Sequence, residues 1–257
     1  MGETAPSPTA GVLVTTALGA RDVHVWRASL PAPGPVVEAC ARLLSPDEHA
    51  RASRMLAASR REAFVVARGL LRRLTGRYVG LPAADVGFSY TALGRPLLAA
   101  DDRSLQFSVS HSGDQVLLAF AVRARVGVDI ERVRASADVD AIAHRFFAAG
   151  ELAELAALAG PDRLEAFFAC WTRKEALLKA VGLGISRGLG RVEVSCRPGE
   201  PARLVRSALD ELDPANWSLA DLTFAPGYRA ALAVSMANPA VSVFAAATDV
   251  VLGKEQA

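Results

Sequence analysis

The sequence predicts an α+β fold of two similar lobes, each with helices packed on a small, mainly antiparallel sheet. Three observations lead there. Helix-like and strand-like stretches are segregated along the chain rather than alternating. Both halves follow one order, an opening strand, then helices, then a run of strands, although no sequence repeat is evident. Of the 257 residues, 51% are hydrophobic, enough for a sizeable core.

The elements follow in order. Residues 1–20 are rich in Ala, Gly, Thr and Pro and are expected to be frayed. "DVHVWRASL" alternates as a strand does. "SPDEHARASRM" reads as a helix with Ser45 as cap and Pro46 at its first position. A second helix runs from about Arg60 to Tyr78, with Phe64, Val65, Leu71 and Leu74 near helical spacing and Gly80 and Pro82 ending it. Four strands follow, "DVGFSY", "SLQFSVSH", "QVLLAFAV" and "RVGVDIE", with a hairpin turn at Gly113-Asp114. Three helices come next: "DVDAIAHRFF", "AGELAELAAL" and "PDRLEAFFACWTRKEALLKAVG". The last opens at Pro161-Asp162 and stops at Gly182 and Gly184. The strands "RVEVSC", "ARLVRS", "WSLADLTF", "YRAALAVSM" and "VSVFAAAT" close the chain. The expected division is a frayed 1–20, an N-terminal lobe over 21–125, a C-terminal lobe over 126–247 and a loose tail over 248–257.

Composition excludes several classes. A net charge of +2 gives no general pull toward nucleic acid or membrane, so neither is expected as a partner. Charged residues at 22% fit a soluble protein. Three widely spaced cysteines with no CxxC argue against a disulfide framework or zinc site and fit a reducing, cytoplasmic setting. Neither a signal peptide nor a membrane-length apolar run is seen. Arg51, Arg54, Arg60, Arg61, Arg68, Arg72, Arg73 and Arg77 crowd one stretch; they read either as a solvated helix face or as a local site for an anion.

Four short motifs could carry chemistry. In "VGVDIE" the strand period puts Val126, Val128 and Ile130 on one face and Gly127, Asp129 and Glu131 on the other. The two acids are roughly 7 Å apart at the backbone. They fit a hard divalent cation such as Mg²⁺, with Gly127 leaving room for something to approach; a polar strand face is the alternative. In "WTRKEALLKAVGLGI" Glu175 and Lys179 share a helix face at i and i+4, with Trp171 one turn earlier. They read as a third carboxylate and a phosphate-binding lysine, or as a surface pair beside a core Trp. "FSVSHSGD" puts Ser108, Ser110 and Ser112 on one strand face and His111 at the strand's end before a glycine turn, where an anion can be met. "GRP", Gly94 to Pro96, is a rigid turn presenting Arg95, whose guanidinium suits phosphate.

In this order the motifs resemble the 4′-phosphopantetheinyl transferase superfamily, in particular its surfactin-type, single-chain, two-lobed branch. The family pattern G-(K/R)-P, F-N-x-S-H-S, G-x-D-x-E and W-x-x-K-E-x-x-x-K-x-x-G-x-G is met by Gly94-Arg95-Pro96, Phe107 to Ser112, Gly127 to Glu131 and Trp171 to Gly184. "RFF" followed by Glu151 also resembles the family's link between the last two motifs. Ser108 stands where the family usually has Asn. The resemblance covers about residues 45–245 and implies a pseudo-dimer of two like lobes, the first binding coenzyme A and the second holding the metal and catalytic residues.

It further implies transfer of the phosphopantetheine arm of coenzyme A to a serine of an acyl or peptidyl carrier protein, with release of adenosine 3′,5′-bisphosphate. Asp129, Glu131 and Glu175 would hold Mg²⁺. Either Glu175, directly or through water, or a water bound to the metal would be the base, with Lys179 and His111 completing the catalytic set. Arg60, Arg72, Arg95, Pro96, Ser110, His111 and Lys179 would contact coenzyme A. A monomer is expected, and the local arginines would help steer an acidic carrier. The alternatives are another Mg²⁺-dependent phosphotransferase or nuclease using the same acids, and a non-catalytic relative that only binds coenzyme A or a carrier.

Overall fold

A computed structural model describes residues 17–92, 94–99, 104–135, 138–184 and 188–246. The expectations for residues 1–16, for the tail from 248 and for Ile185 lie outside the described residues. The chain is α+β, and its two halves repeat one topology. The first half runs β1 (Asp22–Ser29), α1 (Gly34–Arg42), α2 (Pro46–Ser53), α3 (Ala58–Val79), β2 (Phe88–Tyr90), β3 (Pro96–Leu98), β4 (Leu105–Ser112) and β5 (Gln115–Val122). The second runs β6 (Val126–Arg132), α4 (Val139–Phe146), α5 (Ala149–Ala156), α6 (Gly160–Val181), β7 (Val192–Val194), β8 (Leu204–Ser207), β9 (Ser218–Leu222) and β10 (Tyr228–Val234). β2 pairs with β3, and β7 with β8, as small antiparallel hairpins.

The main sheets match as well. Each opening strand pairs antiparallel with the second strand of the closing hairpin, giving the orders β1-β5-β4 and β6-β10-β9. The final strand, β11 (Ala240–Ala245), lies within the stretch expected for the C-terminal lobe. It departs from that division by adding to the first sheet, parallel to β1. α1 also escaped the sequence reading. It is short and Pro-led; Val36, Ala39 and Cys40 are its buried side, and Gly69 of α3 is where α1 crosses, since a Cβ there would collide with Cys40.

The two 22-residue helices α3 and α6 end alike. Gly80 and Gly182 adopt left-handed backbone at φ 71° and 76°, which glycine adopts without the Cβ clash. Alternation along the strands sorts the core. Val116, Leu118 and Phe120 of β5 face α3, while Leu117, Ala119 and Ala121 face the other sheet. Val126, Val128 and Ile130 of β6 meet them there, with Val23, Val25, Leu232 and Val234. This dry layer joins the lobes, and the apolar face of "VGVDIE" is part of it, as the strand period predicts.

β6 is an edge strand of its own sheet, so alternate backbone N–H groups along it need partners. Hydroxyls of β4 supply them. The N–H groups of Val128, Ile130 and Arg132 donate to the Oγ atoms of Ser108, Ser110 and Ser112, at 3.1, 3.3 and 3.1 Å. A serine at position 108 thus serves as the acceptor for one rung of this splice.

Candidate active site

Asp129 and Glu131 leave β6 on the face that α6 covers. Gly127 sets how closely it does so: a Cβ there would overlap the Ala176 carbonyl oxygen and crowd the Ala180 nitrogen. The room expected beside Gly127 is therefore filled by the helix backbone. α6 is fixed around its axis by two anchors. Arg173 grips Asp221 of β9, Nε to Oδ1 at 2.8 Å, and donates through Nη1 to the Ser195 carbonyl. Lys174 is fully buried and pairs with Glu151, which also accepts from the Ala148 and Val194 N–H groups. Trp171 joins the C-terminal core beside Phe146 and Phe167. With the helix so held, Glu175 and Lys179 face the strand acids.

Lys179 Nζ donates to Asp129 Oδ1 at 2.6 Å and to Ser110 Oγ at 2.9 Å. The Ser110 hydroxyl donates to the same Oδ1 at 2.8 Å, and the Ser112 hydroxyl donates to Glu131 Oε2 at 2.7 Å. Asp129 Oδ2 and Glu175 Oε1 are buried without a hydrogen-bond partner. Burial first, then the charges of Asp129 and Glu131, push the Glu175 carboxyl up to about 7, with Lys179 opposing. Burial and Asp129 likewise raise Glu131 against the Ser112 hydrogen bond.

A cleft of about 280 Å³ opens beside this cluster, lined among others by Arg95, Pro96, Ser108, Val109, Lys179 and Leu183. Lys179 belongs to both. Arg95 leaves the Gly94 turn (φ 77°) and donates to the Ala180 carbonyl at 3.1 Å, so the "GRP" loop rests on the end of α6. His111 is exposed at the end of β4. Burial of its ring's inner side and the Lys179 charge lower its pKa.

A sequence model of the 4′-phosphopantetheinyl transferase superfamily matches residues 125–233, and one of the N-terminal 4′-phosphopantetheinyl transferase region matches residues 31–123. The 4′-phosphopantetheinyl transferase HetI of Nostoc sp. is 37% identical over 216 residues, 83% of this chain and 88% of that protein. The chain belongs to the 4′-phosphopantetheinyl transferase superfamily. A putative 4′-phosphopantetheinyl transferase of Synechocystis sp. is 35% identical over 63% of this chain and 66% of its own length. The L-aminoadipate-semialdehyde dehydrogenase-phosphopantetheinyl transferase of Homo sapiens is 27% identical over 69% and 62%. A solved holo-(acyl-carrier-protein) synthase of Bacillus anthracis, in complex with CoA, aligns at a TM-score of 0.35 and 22% identity over 42% of this chain and 92% of that one.

The superfamily motifs converge as far as the acids, Lys179, Ser110, Arg95 and Pro96 are concerned. A hard cation fits the donor set: all its atoms are carboxylate oxygens, two of them buried and unpartnered, and the Asp129 charge helps raise the pKa of both Glu131 and Glu175. Lys179 holds part of that place now. Among the described residues the three-donor cluster drawn within 4.8 Å is Glu151, Cys170 and Cys196, not the acids of β6 and α6.

Arg60 and Arg72, also expected to bind coenzyme A, do not line the cleft beside Lys179. Arg72 is 4% exposed; its Nε donates to Glu48 and its Nη1 to the Val86 carbonyl, so it is spent inside the N-terminal lobe. Arg60 is exposed on the first turn of α3. The sequence alone assigns no specific role to Lys174, Arg173, Ser112 or Tyr228. The serine alternation was a visible signal for Ser112; the partners of the other three lie 23 to 114 residues away.

Proposed function

We propose that the protein transfers the 4′-phosphopantetheine arm of coenzyme A to a serine of an acyl or peptidyl carrier protein, releasing adenosine 3′,5′-bisphosphate. The observation that carries this reading is the pair of unpartnered carboxylate oxygens of Asp129 and Glu175 beside Lys179, in a member of this superfamily. Mg²⁺ at Asp129, Glu131 and Glu175 would neutralise the pyrophosphate and the charge that builds on it.

The carrier serine oxygen attacks the phosphorus that bears pantetheine, and the P–O bond to the bisphosphate breaks. Glu175 accepts the serine proton. Lys179 reaches from Asp129 into the cleft and meets a phosphate oxygen there. Arg95 and Pro96 line that cleft and would meet the nucleotide's anionic groups there. His111 is held neutral at pH 7 by its lowered pKa and offers one N–H to a phosphate; Ser110 holds Asp129 and Lys179 in register. Arg60 is placed to meet an anionic group of the substrate or carrier from the surface. Arg72 supports the fold beneath.

Two lobes in one chain support the surfactin-type reading, in which lobe 21–125 presents coenzyme A and lobe 126–247, less β11, carries the acids. The protein acts as a cytoplasmic monomer. In support of a reducing compartment, the three cysteines are free and buried. The test is incubation with coenzyme A, Mg²⁺ and a panel of apo-carriers, read by intact mass with a metal-free control. The reading requires at least one carrier to gain the arm only with metal. Coenzyme A consumed without a carrier would point to another phosphotransferase, and binding without turnover to a non-catalytic relative.

A further inference from the structure

We infer that Ser112 is a positioning residue for the metal centre, setting the Glu131 carboxylate for the cation from the opposite lobe. The inference rests on the proposed metal reading. The three serines of β4 do one job in common: each accepts a backbone N–H from β6. They differ in a second job. Ser110 donates to Asp129 and Ser112 to Glu131, whereas Ser108 reaches no carboxylate among the described residues. Accepting from Arg132 N–H fixes the Ser112 oxygen, so its hydrogen is aimed at Glu131 Oε2 at 2.7 Å.

The hairpin tip that carries Ser112 is itself tied down across the lobes. The Tyr228 hydroxyl of β10 donates to Asp114 Oδ1 at 2.7 Å and accepts from the Asp114 N–H at 3.1 Å. Gly113 permits that approach, since a Cβ there would strike the Tyr228 hydroxyl. The N-terminal lobe thereby holds one oxygen of a C-terminal acid and leaves Oε1 for the cation. Outer hydrogen-bond partners of ligating carboxylates typically govern about 10–100-fold of metal affinity.

The built-in control is Ser108, which shares the splice but not the carboxylate. Mn²⁺ binding to the full chain is measured by electron paramagnetic resonance, with and without coenzyme A, for wild type, Ser112→Ala, Ser112→Thr, Ser108→Ala and Asp129→Ala, with Tm recorded for each. Without coenzyme A, whose proposed cleft Ser108 also lines, the expected result is a roughly tenfold or greater loss of Mn²⁺ affinity in Ser112→Ala, recovery in Ser112→Thr, and near wild-type affinity in Ser108→Ala despite a lower Tm. Equal affinity in Ser112→Ala and wild type overturns the inference while leaving the metal reading intact, provided Asp129→Ala has lost binding. Equal losses in Ser112→Ala and Ser108→Ala also overturn it, since splicing the lobes would then be the whole effect. Absence of Mn²⁺ binding in wild type, or binding unchanged by Asp129→Ala, removes the metal reading and this inference together.

Discussion

The two lobes build the same architecture and fill its key positions with opposite chemistry. In the N-terminal lobe, the β1 face toward α3 carries His24 and Trp26, and the Tyr78 hydroxyl near the end of α3 bonds to both, accepting from Trp26 Nε1 at 2.8 Å. In the C-terminal lobe, the β6 face toward α6 carries Asp129 and Glu131, and Lys179 near the end of α6 meets the first of them. The first arrangement closes its polar atoms against each other within an aromatic cluster. The second leaves two carboxylate oxygens buried and unpartnered. A fold pays for such orphans unless a ligand answers them. In the proposed function the metal chemistry belongs to this second arrangement, while the first lobe presents coenzyme A.

The largest test of this contrast is removal of an acid. Glu175→Ala is expected to lower kcat/KM by about 10²–10⁴-fold while circular dichroism stays native; wild-type turnover would take Glu175 out of the mechanism. The matched change in the other lobe is Arg72→Ala. It breaks a buried ion pair with Glu48 and is expected to cost about 3–5 kcal/mol, seen in denaturant unfolding. The Michaelis constant for coenzyme A should hold steady at temperatures where the variant stays folded; a selective rise would return Arg72 to the binding site.

A smaller effect separates the lobes by pH. The Glu175 carboxyl is raised from its usual range to about 7 in the folded protein, so the native state holds a proton that the unfolded chain has lost. Metal-free stability should therefore fall as pH rises from about 4.5 through about 7 and level off above that, and Glu175→Gln should flatten that slope. Smallest is Tyr78→Phe, which strips an acceptor from Trp26 Nε1. It should cost about 1–3 kcal/mol without changing kcat.

Much of this was legible in the sequence because it is local. Strand alternation placed Asp129 and Glu131 on one face, helical spacing paired Glu175 with Lys179, and Gly80 and Gly182 marked two helix ends. What the sequence could not give depends on contacts between distant segments. β11 returns to β1 across some 200 residues of chain. Arg72 looks like any basic residue until Glu48 and the Val86 carbonyl enclose it. Gly127 reads as open space until the α6 backbone fills it, and Ser112 acquires a purpose only when β6 is laid beside β4.

The most direct test of the division between the lobes is a time course of holo-carrier formation by intact mass, with coenzyme A and Mg²⁺, comparing wild type, Asp129→Ala and Tyr78→Phe at equal folded concentration. The predicted result is wild-type conversion by Tyr78→Phe and none by Asp129→Ala. Conversion by Asp129→Ala at the wild-type rate, with the same Mg²⁺ requirement, would contradict the placement of the chemistry on β6 and α6.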